Sequence, residues 1–485
     1  MSTTFRLTYT SILSLVAIGC GDNYEQMMPM PDSPPKVECQ LNSEPPIKFG
    51  ASIPLTGNGP SWASPGDQPD LLKKVINEGC GAIGTELLGT PIDFIVLDSQ
   101  DSQLVSPGNI DQMVSQGVVA LSGSGSTVTT AAAILQDLFM GNNGQGYGLP
   151  FMNAHGAGSN MIYCTAAQLA DPNVTKSTQP TSTAGTCFDS KGLVYRTRDN
   201  SISFGSASAI YVNQIAAPAS QIALYSRTEP SGAYEIAANI APRLQTSGHT
   251  VNWVTHTAGT PTVAQFKDVI IPAMVANNPT IYIAGAANPQ LANFMEGFAQ
   301  YAADPNTNKP SNFTTAKLVF YGNVAGGDFT TLSLAARTLM LTRLTSIQPH
   351  FDERREGYKR WHKLWTDFYP SESVPLSPMQ NMFFDGWMIM TLAMVKANST
   401  SPEAVKANYL SVVNPPGTIY YPDQYKEARA ALLRGEDIDY DGASVGDMTP
   451  NLENAASIVF GYYTFDIDGV TTLSGTVEAQ YTPPD

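Results

Sequence analysis

Histidine is nearly absent from this chain. Its five copies, at positions 155, 249, 256, 350 and 362, show neither HxxxH nor HExxH spacing, which argues against a metal centre built on paired imidazoles. Basic residues are also scarce: 26 Lys and Arg stand against 42 Asp and Glu, a formal charge of −16. Such a surface repels phosphate backbones and argues against nucleic acid as a partner. Charged residues of both signs make up only 14% of the chain while 42% is apolar, so there is a core to bury and no case for general disorder. Long apolar runs are missing beyond residue 19. The richest window, "MFFDGWMIMTLAMV" at 382–395, is too short to span a bilayer, carries Asp385 and reads as a buried helix.

The first residues have a different character. Residues 1–19 have the layout of a secretory signal, one Arg followed by the short apolar stretch "LTYTSILSLVAIG". The stretch stops at Cys20. "LVAIGC" resembles a bacterial lipobox, with Ala17 where Leu is usual, and the resemblance implies that Cys20 is lipidated and becomes the mature N-terminus. Residues 20–45, polar and proline-containing, then read as a tether. Export permits disulfides, and four further cysteines are present. Cys164 and Cys187 flank a Ser/Thr/Pro-rich segment with no apolar stripe, and closing it contributes about 3 kcal/mol on a loop-entropy model. Cys39 and Cys80 would then pin the tether to the end of the first helix. Other pairings stay open from sequence alone.

The body alternates short β-rich runs with helical patterns. Strands are expected at 49–55, 92–97, 118–121, 151–154, 222–226, 251–254, 281–284 and 318–321, with helices among them at 70–77, 126–139, 204–215, 233–244 and 263–275. Repeated βα units imply parallel sheets with helices on both faces. A break around 172–185 divides them into two series, hence two Rossmann-like α/β lobes. In "SGSGSTVTTAAAILQ", at 122–136, five hydroxyl residues precede Ala131 where one cap suffices to start a helix. The stretch follows a buried strand, where ligands bind in such sheets. The surplus hydroxyls, glycines and free helix amides are therefore expected to receive a ligand carboxylate, with Thr130 lying outside the cleft.

Several stretches together resemble solute-binding proteins of the branched-chain amino-acid type. They are "IKFGASIPLTGNGPSW", "KKVINEGCGAIG", "IDFIVLDSQDS", "LSGSGSTVTTAAA", "LPFMNAHGAGSNM", "LVYRTRDNSISFG" and "DIDYDGASVGD", in the right order from about residue 47 to 465. The resemblance implies a type I periplasmic-binding-protein fold, two lobes joined by a hinge of three crossovers with a ligand clamped between them. The expected boundaries are 46–193 with 338–448 for the first lobe, and 194–337 with 449–485 for the second. It further implies an exported protein that delivers an amino acid, amide or related carboxylate to an ABC permease and its ATPase. No cofactor, metal or catalytic step is implied, and the membrane is met only through the anchor. Gly125, Ser126 and Thr127 fall on the ligand-carboxylate position, and Ala154, Gly156 and Ala157 on the following loop. Ala157 stands where the family has Thr, a departure from an ordinary amino-acid site. Trp62 lies near an aromatic that closes over the ligand; Tyr234 and Asn323 are the second-lobe candidates. A ligand sensor without an importer is the alternative on the same fold.

Three other motifs have less behind them. "GASVG" at 442–446 fits the nucleophile elbow of serine hydrolases at Ser444, but no strand pattern precedes it and no histidine follows. "DIDYDG" at 437–442 spaces carboxylates like a calcium loop but has Met448 in place of the closing Glu, and reads as an acidic surface turn. "GQGYG" at 144–148 follows a helix rather than a strand, so it is no dinucleotide fingerprint.

Overall fold

All eight expected apolar runs become strands of two mainly parallel sheets in the computed structural model. It describes residues 39–56, 68–123, 125–154, 156, 164, 168, 170–177, 186–188, 191–228, 232–256, 261–285, 288–322, 329–370, 378–448 and 458–479. The first sheet holds β1 (Ile47–Ile53), β2 (Ile92–Asp98), β3 (Val118–Gly123), β4 (Phe151–Asn153) and β5 (Val194–Arg196), in the order β2-β1-β3-β4-β5. The second holds β6 (Gln221–Arg227), β7 (Thr250–His256), β8 (Ile281–Gly285), β9 (Lys317–Tyr321) and β10 (Leu344–Pro349), in the order β7-β6-β8-β9-β10. An antiparallel hairpin, β11 (Ile458–Phe465) and β12 (Thr471–Ala479), extends the second sheet. Both parallel parts thus follow one 2-1-3-4-5 plan.

This strand membership corrects the expected lobe edges. Val194–Arg196 belongs to the first sheet and Leu344–Pro349 to the second, so edges at 193/194 and 337/338 each cut a fifth strand from its own sheet. Neither strand carries an apolar signal of its own: one is three residues long and the other mixes Thr, Ser, Gln and Pro.

In the first lobe α1 (Gln68–Glu78), α2 (Ser106–Ser115) and α3 (Thr127–Leu135) follow β1, β2 and β3. In the second, α4 (Ser201–Ile215) precedes β6, and α5 (Gly232–Thr246) follows it. α6 (Asn288–Ala303) comes after β8 and α7 (Leu334–Arg343) after β9. The chain then returns to the first lobe through α8 (Glu356–Phe368), α9 (Met379–Ala397) and α10 (Tyr425–Leu433), whose Trp361, Trp365, Trp387 and Tyr425 share a core with Phe49 and Ile53. From Met379 to Val395 every residue of α9 is buried, as a helix apolar on all sides requires. Its Trp387 stacks on Phe49 with centroids 4.7 Å apart.

The crossovers show which edges of the sheets face each other. A helix that packs antiparallel to parallel strands starts at their carboxyl edge. Residues 197–200 carry the chain from the end of β5 to the start of α4, which packs on β10 and β12. Residues 350–355 carry it from the end of β10 to α8 in the first-lobe core. Both links join carboxyl edge to carboxyl edge, so the ligand-bearing ends of the two sheets look at one another. The first link is buried and stiff. Asn200 caps α4 by accepting from the Ile202 and Ser203 amides at 3.0 Å, and Ser203 Oγ accepts from the Asn200 amide. Arg198 donates to both carboxylate oxygens of Asp199 at 2.9 Å, and Thr197 Oγ1 donates to the Met382 carbonyl on α9 at 2.7 Å.

Both disulfides form as expected, Cys39 with Cys80 just beyond α1, and Cys164 with Cys187. Beside the first, Gln40–Leu41 pairs in parallel with Leu88–Gly89. No described helix is long and apolar enough to cross a membrane.

One buried acid makes stability depend on pH. α3 runs into a π-helical turn, Gln136–Met140, in which Asp137 is fully buried. Burial raises its pKa to about 7 against the Leu149 amide, which donates to its carboxylate, and the charge of Lys191. A carboxyl that keeps its proton to about 7 when folded, but only to about 4 when unfolded, binds more protons in the folded state between those values. Its contribution is therefore full in acid and lost as pH rises through 7. Asp137→Asn is expected to raise the melting temperature by several degrees at pH 8 and to change it little at about pH 4. Equal shifts at both pH values in calorimetry would refute this.

Candidate ligand-binding site

The carboxyl edge of the first sheet is held by two of the chain's own carboxylates. Asp98, the last residue of β2, accepts from the Leu55 amide at 2.9 Å, the Thr56 amide at 3.1 Å and the Gln100 amide at 2.9 Å, and also from the Thr56 hydroxyl. Burial opposes its charge, but these donors, Thr56 foremost, hold its pKa below the ordinary value. The loop after β1 is thereby tied to the end of β2. Asn109 on α2 ties the same corner, donating to Ser52 Oγ at 3.1 Å and to the Asp98 carbonyl at 2.9 Å.

The second carboxylate changes the reading of the hydroxyl-rich helix start. Gln100 and Asp101 adopt left-handed backbone at φ 53° and 48°, a turn that carries the Asp101 side chain over to α3. Asp101 Oδ1 accepts from the Ser126 amide at 2.7 Å and from Thr129 Oγ1 at 3.1 Å, while Ser126 Oγ lies 3.0 Å from Thr129 Oγ1. An anion does sit at this helix N-terminus, and it is Asp101. Of the helix amides expected to be free for a ligand carboxylate, that of Ser126 is taken by Asp101. Gly125 is needed twice over: its φ is +107°, and a Cβ there would stand 2.6 Å from Asp101 Oδ1. Thr130, expected outside the cleft, is fully buried with its hydroxyl toward the Gly125 carbonyl.

Past β4, the Asn153 side chain closes the next loop on itself. Its Oδ1 accepts from the Gly156 amide at 2.8 Å and its Nδ2 donates to the Gly156 carbonyl at 3.2 Å, with Ala154 buried between them. In the second lobe, Tyr234 on the first turn of α5 is half-buried with its ring 5.1 Å from Trp253. Gly125, Ser126, Ala154 and Gly156 thus share the first-lobe edge, and the Thr127 backbone starts α3 beside them. Cys20, Trp62, Ala157, Asn323 and the Thr127 side chain lie outside the described residues. Asp98, Asp101 and Asn153 were not singled out from sequence; the signal available was "DSQD", two acids astride a turn just past a strand.

The other motifs resolve into structure. The loop at 442–446 wraps the buried carboxylate of Asp385 on α9. That carboxylate accepts from Tyr440 Oη at 2.9 Å, from the Ala443 and Ser444 amides at 3.0 and 2.6 Å, from Ser444 Oγ at 2.6 Å and from the Val445 amide at 3.2 Å. Ser444 is therefore a donor to a buried acid, in no hydrolase arrangement. Ile438 and Tyr440 are buried too, so the stretch at 437–442 is no surface turn. Among the described residues no group of three His, Cys, Asp or Glu is placed to hold a metal ion.

Two like lobes, each of 2-1-3-4-5 order and joined at their carboxyl edges, define the type I periplasmic-binding fold. No family model matches the chain, and no curated protein sequence does. Solved structures do. A leucine-binding protein from Thermotoga maritima is similar over 89% of this chain and 98% of its own, at 12% identity and a TM-score of 0.60. A branched-chain amino-acid transporter substrate-binding protein from Streptococcus pneumoniae, in complex with isoleucine, is similar over 90% and 100%, at 13% and 0.59. An ABC-transporter solute-binding protein from R. palustris, in complex with benzoate, is similar over 90% and 98%, at 12% and 0.57. At these identities the likeness is one of fold.

Proposed function

We propose that this chain is an exported, lipid-anchored solute-binding protein that captures a small molecule between its lobes and presents it to an ABC importer. The observation that carries the reading is the meeting of two carboxyl edges across two short crossovers, the first of them buried, because both lobes then offer their strand ends to one cleft. Gly125, Ser126, Thr127, Ala154, Gly156, Ala157 and Trp62 are the contacts proposed from the first lobe, with Tyr234 and Asn323 from the second. With Asp101 seated on the Ser126 amide, the first lobe is rich in acceptors and hydroxyls, which suits the ammonium or hydroxyl end of a ligand. The solved relatives in fold include binders of isoleucine and benzoate, and amino acids and aromatic acids are the classes proposed here. The anchor is Cys20, the partner is the permease with its ATPase, and no catalytic step is involved.

One experiment with two readouts tests this. The full chain, expressed with its leader, is screened by thermal shift against amino acids, amides, short peptides and aromatic acids. A ligand at a hundred times its Kd stabilises the folded state by about 2.7 kcal/mol, a clear rise in melting temperature. Labelling with palmitate is expected on Cys20 and lost in Cys20→Ala. A chain that no compound stabilises refutes ligand capture, and label that persists in Cys20→Ala refutes the anchor.

A further inference from the structure

Three buried polar atoms stand at the carboxyl edge of the second sheet with no hydrogen-bond partner among the described residues. Arg227 ends β6 and His256 ends β7, and the two are register partners. Side chains alternate across a strand, so Arg227 lies on the same face as Tyr225, two residues back. That face is the one where Tyr225, Phe266 and Phe294 pack. The Arg227 Nε, the His256 Nδ1 and the Tyr225 hydroxyl are all buried without a hydrogen-bond partner among the described residues. Tyr225 is 1% exposed. Arg198, Arg243, Arg343, Arg355 and Arg429 each donate to a carbonyl or carboxylate, whereas Arg227 donates to no described residue. In a chain with 42 acids to 26 bases, a half-buried guanidinium without a carboxylate is a cost that folding alone does not explain.

We propose that Arg227, with Tyr225 and His256 as further hydrogen-bonding groups, is the receptor for the carboxylate of the captured solute. The ligand's anionic end thus docks on the second lobe, and its other end on the first. This rests on the solute-binding reading and names the ligand class, small organic carboxylates. The two lobes agree with it chemically. The first has filled its helix N-terminus with Asp101 and has no amide to offer from Ser126. The second brings a guanidinium, a phenol and an imidazole, and α6 begins at the same edge and on the same face, its N-terminal dipole favouring an anion. Tyr225 is held as a donor, since burial pushes its pKa up to about 12 despite the pull of the Arg227 charge.

Titration calorimetry on the full chain tests the site, with benzoate and isoleucine as carboxylate probes and benzamide as the uncharged control. Arg227→Gln is expected to weaken the carboxylate that binds by ten- to a hundred-fold, with Arg227→Lys restoring part of the loss and Tyr225→Phe weakening it several-fold. Benzamide is expected to bind poorly to every variant. The melting temperature of ligand-free Arg227→Gln is expected to equal or exceed that of the parent, because an unpartnered cation is removed; a marked fall makes Arg227 structural and overturns the proposal. Carboxylate affinity unchanged in Arg227→Gln also overturns it, as does preference for benzamide, and both leave solute binding intact. A parent chain that binds none of these probes nor any compound in the thermal-shift screen removes the underlying reading instead.

Discussion

Asp385→Asn is expected to destabilise the first lobe by about 2–4 kcal/mol, the larger part from amide donors that lose their acceptor. The substitution keeps the shape of the side chain but turns one of its two oxygens into a donor. Either way round, at least one backbone N–H, that of Ala443 or those of Ser444 and Val445, then faces an NH2 group. Hydroxyls can rotate to accept; amides cannot. Burial works in the opposite direction, pushing the Asp385 pKa up against the donors of Ser444, Ala443 and Tyr440, so relief of a buried charge offsets part of the loss. A net loss remains because the backbone amides of Ala443, Ser444 and Val445 are fixed and cannot turn away from an NH2 group. Gly442 belongs to the same device, since a Cβ there would lie 2.5 Å from the carboxylate. Urea denaturation followed by tryptophan fluorescence reads the effect, as Trp361, Trp365 and Trp387 all sit in the first-lobe core. Ser444→Ala, which removes one hydroxyl donor only, is expected to cost about 1 kcal/mol. A loss below 1 kcal/mol in Asp385→Asn would show that the loop does not depend on the charge.

Gly285→Ala is expected to cost the second lobe about 2–4 kcal/mol through overpacking and a broken latch. Gly285 ends β8, and a Cβ there would fall 1.9 Å from the Tyr321 ring. That ring passes close over the glycine, and its hydroxyl reaches the Ala233 carbonyl at 2.9 Å and the Tyr225 carbonyl at 3.3 Å. Burial keeps Tyr321 protonated far beyond neutral pH, so it serves as a fixed donor. Displacing it loosens the start of α5 next to the strand ends of the cleft. A double-mutant cycle decides whether this contact is the cause: in a Tyr321→Ala background the cost of Gly285→Ala should shrink to a few tenths of a kcal/mol. Simple addition of the two losses would place the strain elsewhere.

Much of the frame was legible in the amino-acid sequence, and much of the site was not. Apolar runs such as Leu318–Tyr321 and Ile281–Gly285 announced themselves because a strand covered on both faces must be apolar throughout. The all-round apolar pattern of α9 announced its burial for the same reason, and the cysteines flanking a coreless segment announced their bond. Those features are local: composition over a few residues decides them. β5 and β10 stayed hidden, because three residues in one case and a polar mixture in the other become strands only when a neighbour supplies the ladder. The hydroxyls before Ala131 are visible in the sequence as a surplus of donors, but which acceptor meets them was a matter of tertiary structure. Asp101 is 25 residues from Ser126, and two left-handed residues bring it there. Ser444 was likewise visible as a motif, and its role was fixed by Asp385, 59 residues away on a buried helix. Sequence by itself determined which segments must leave water and with what period. Only the packed chain decided which charge meets which donor, because a hydrogen bond requires atoms within about 3 Å and no sequence spacing specifies that distance once the chain turns back on itself.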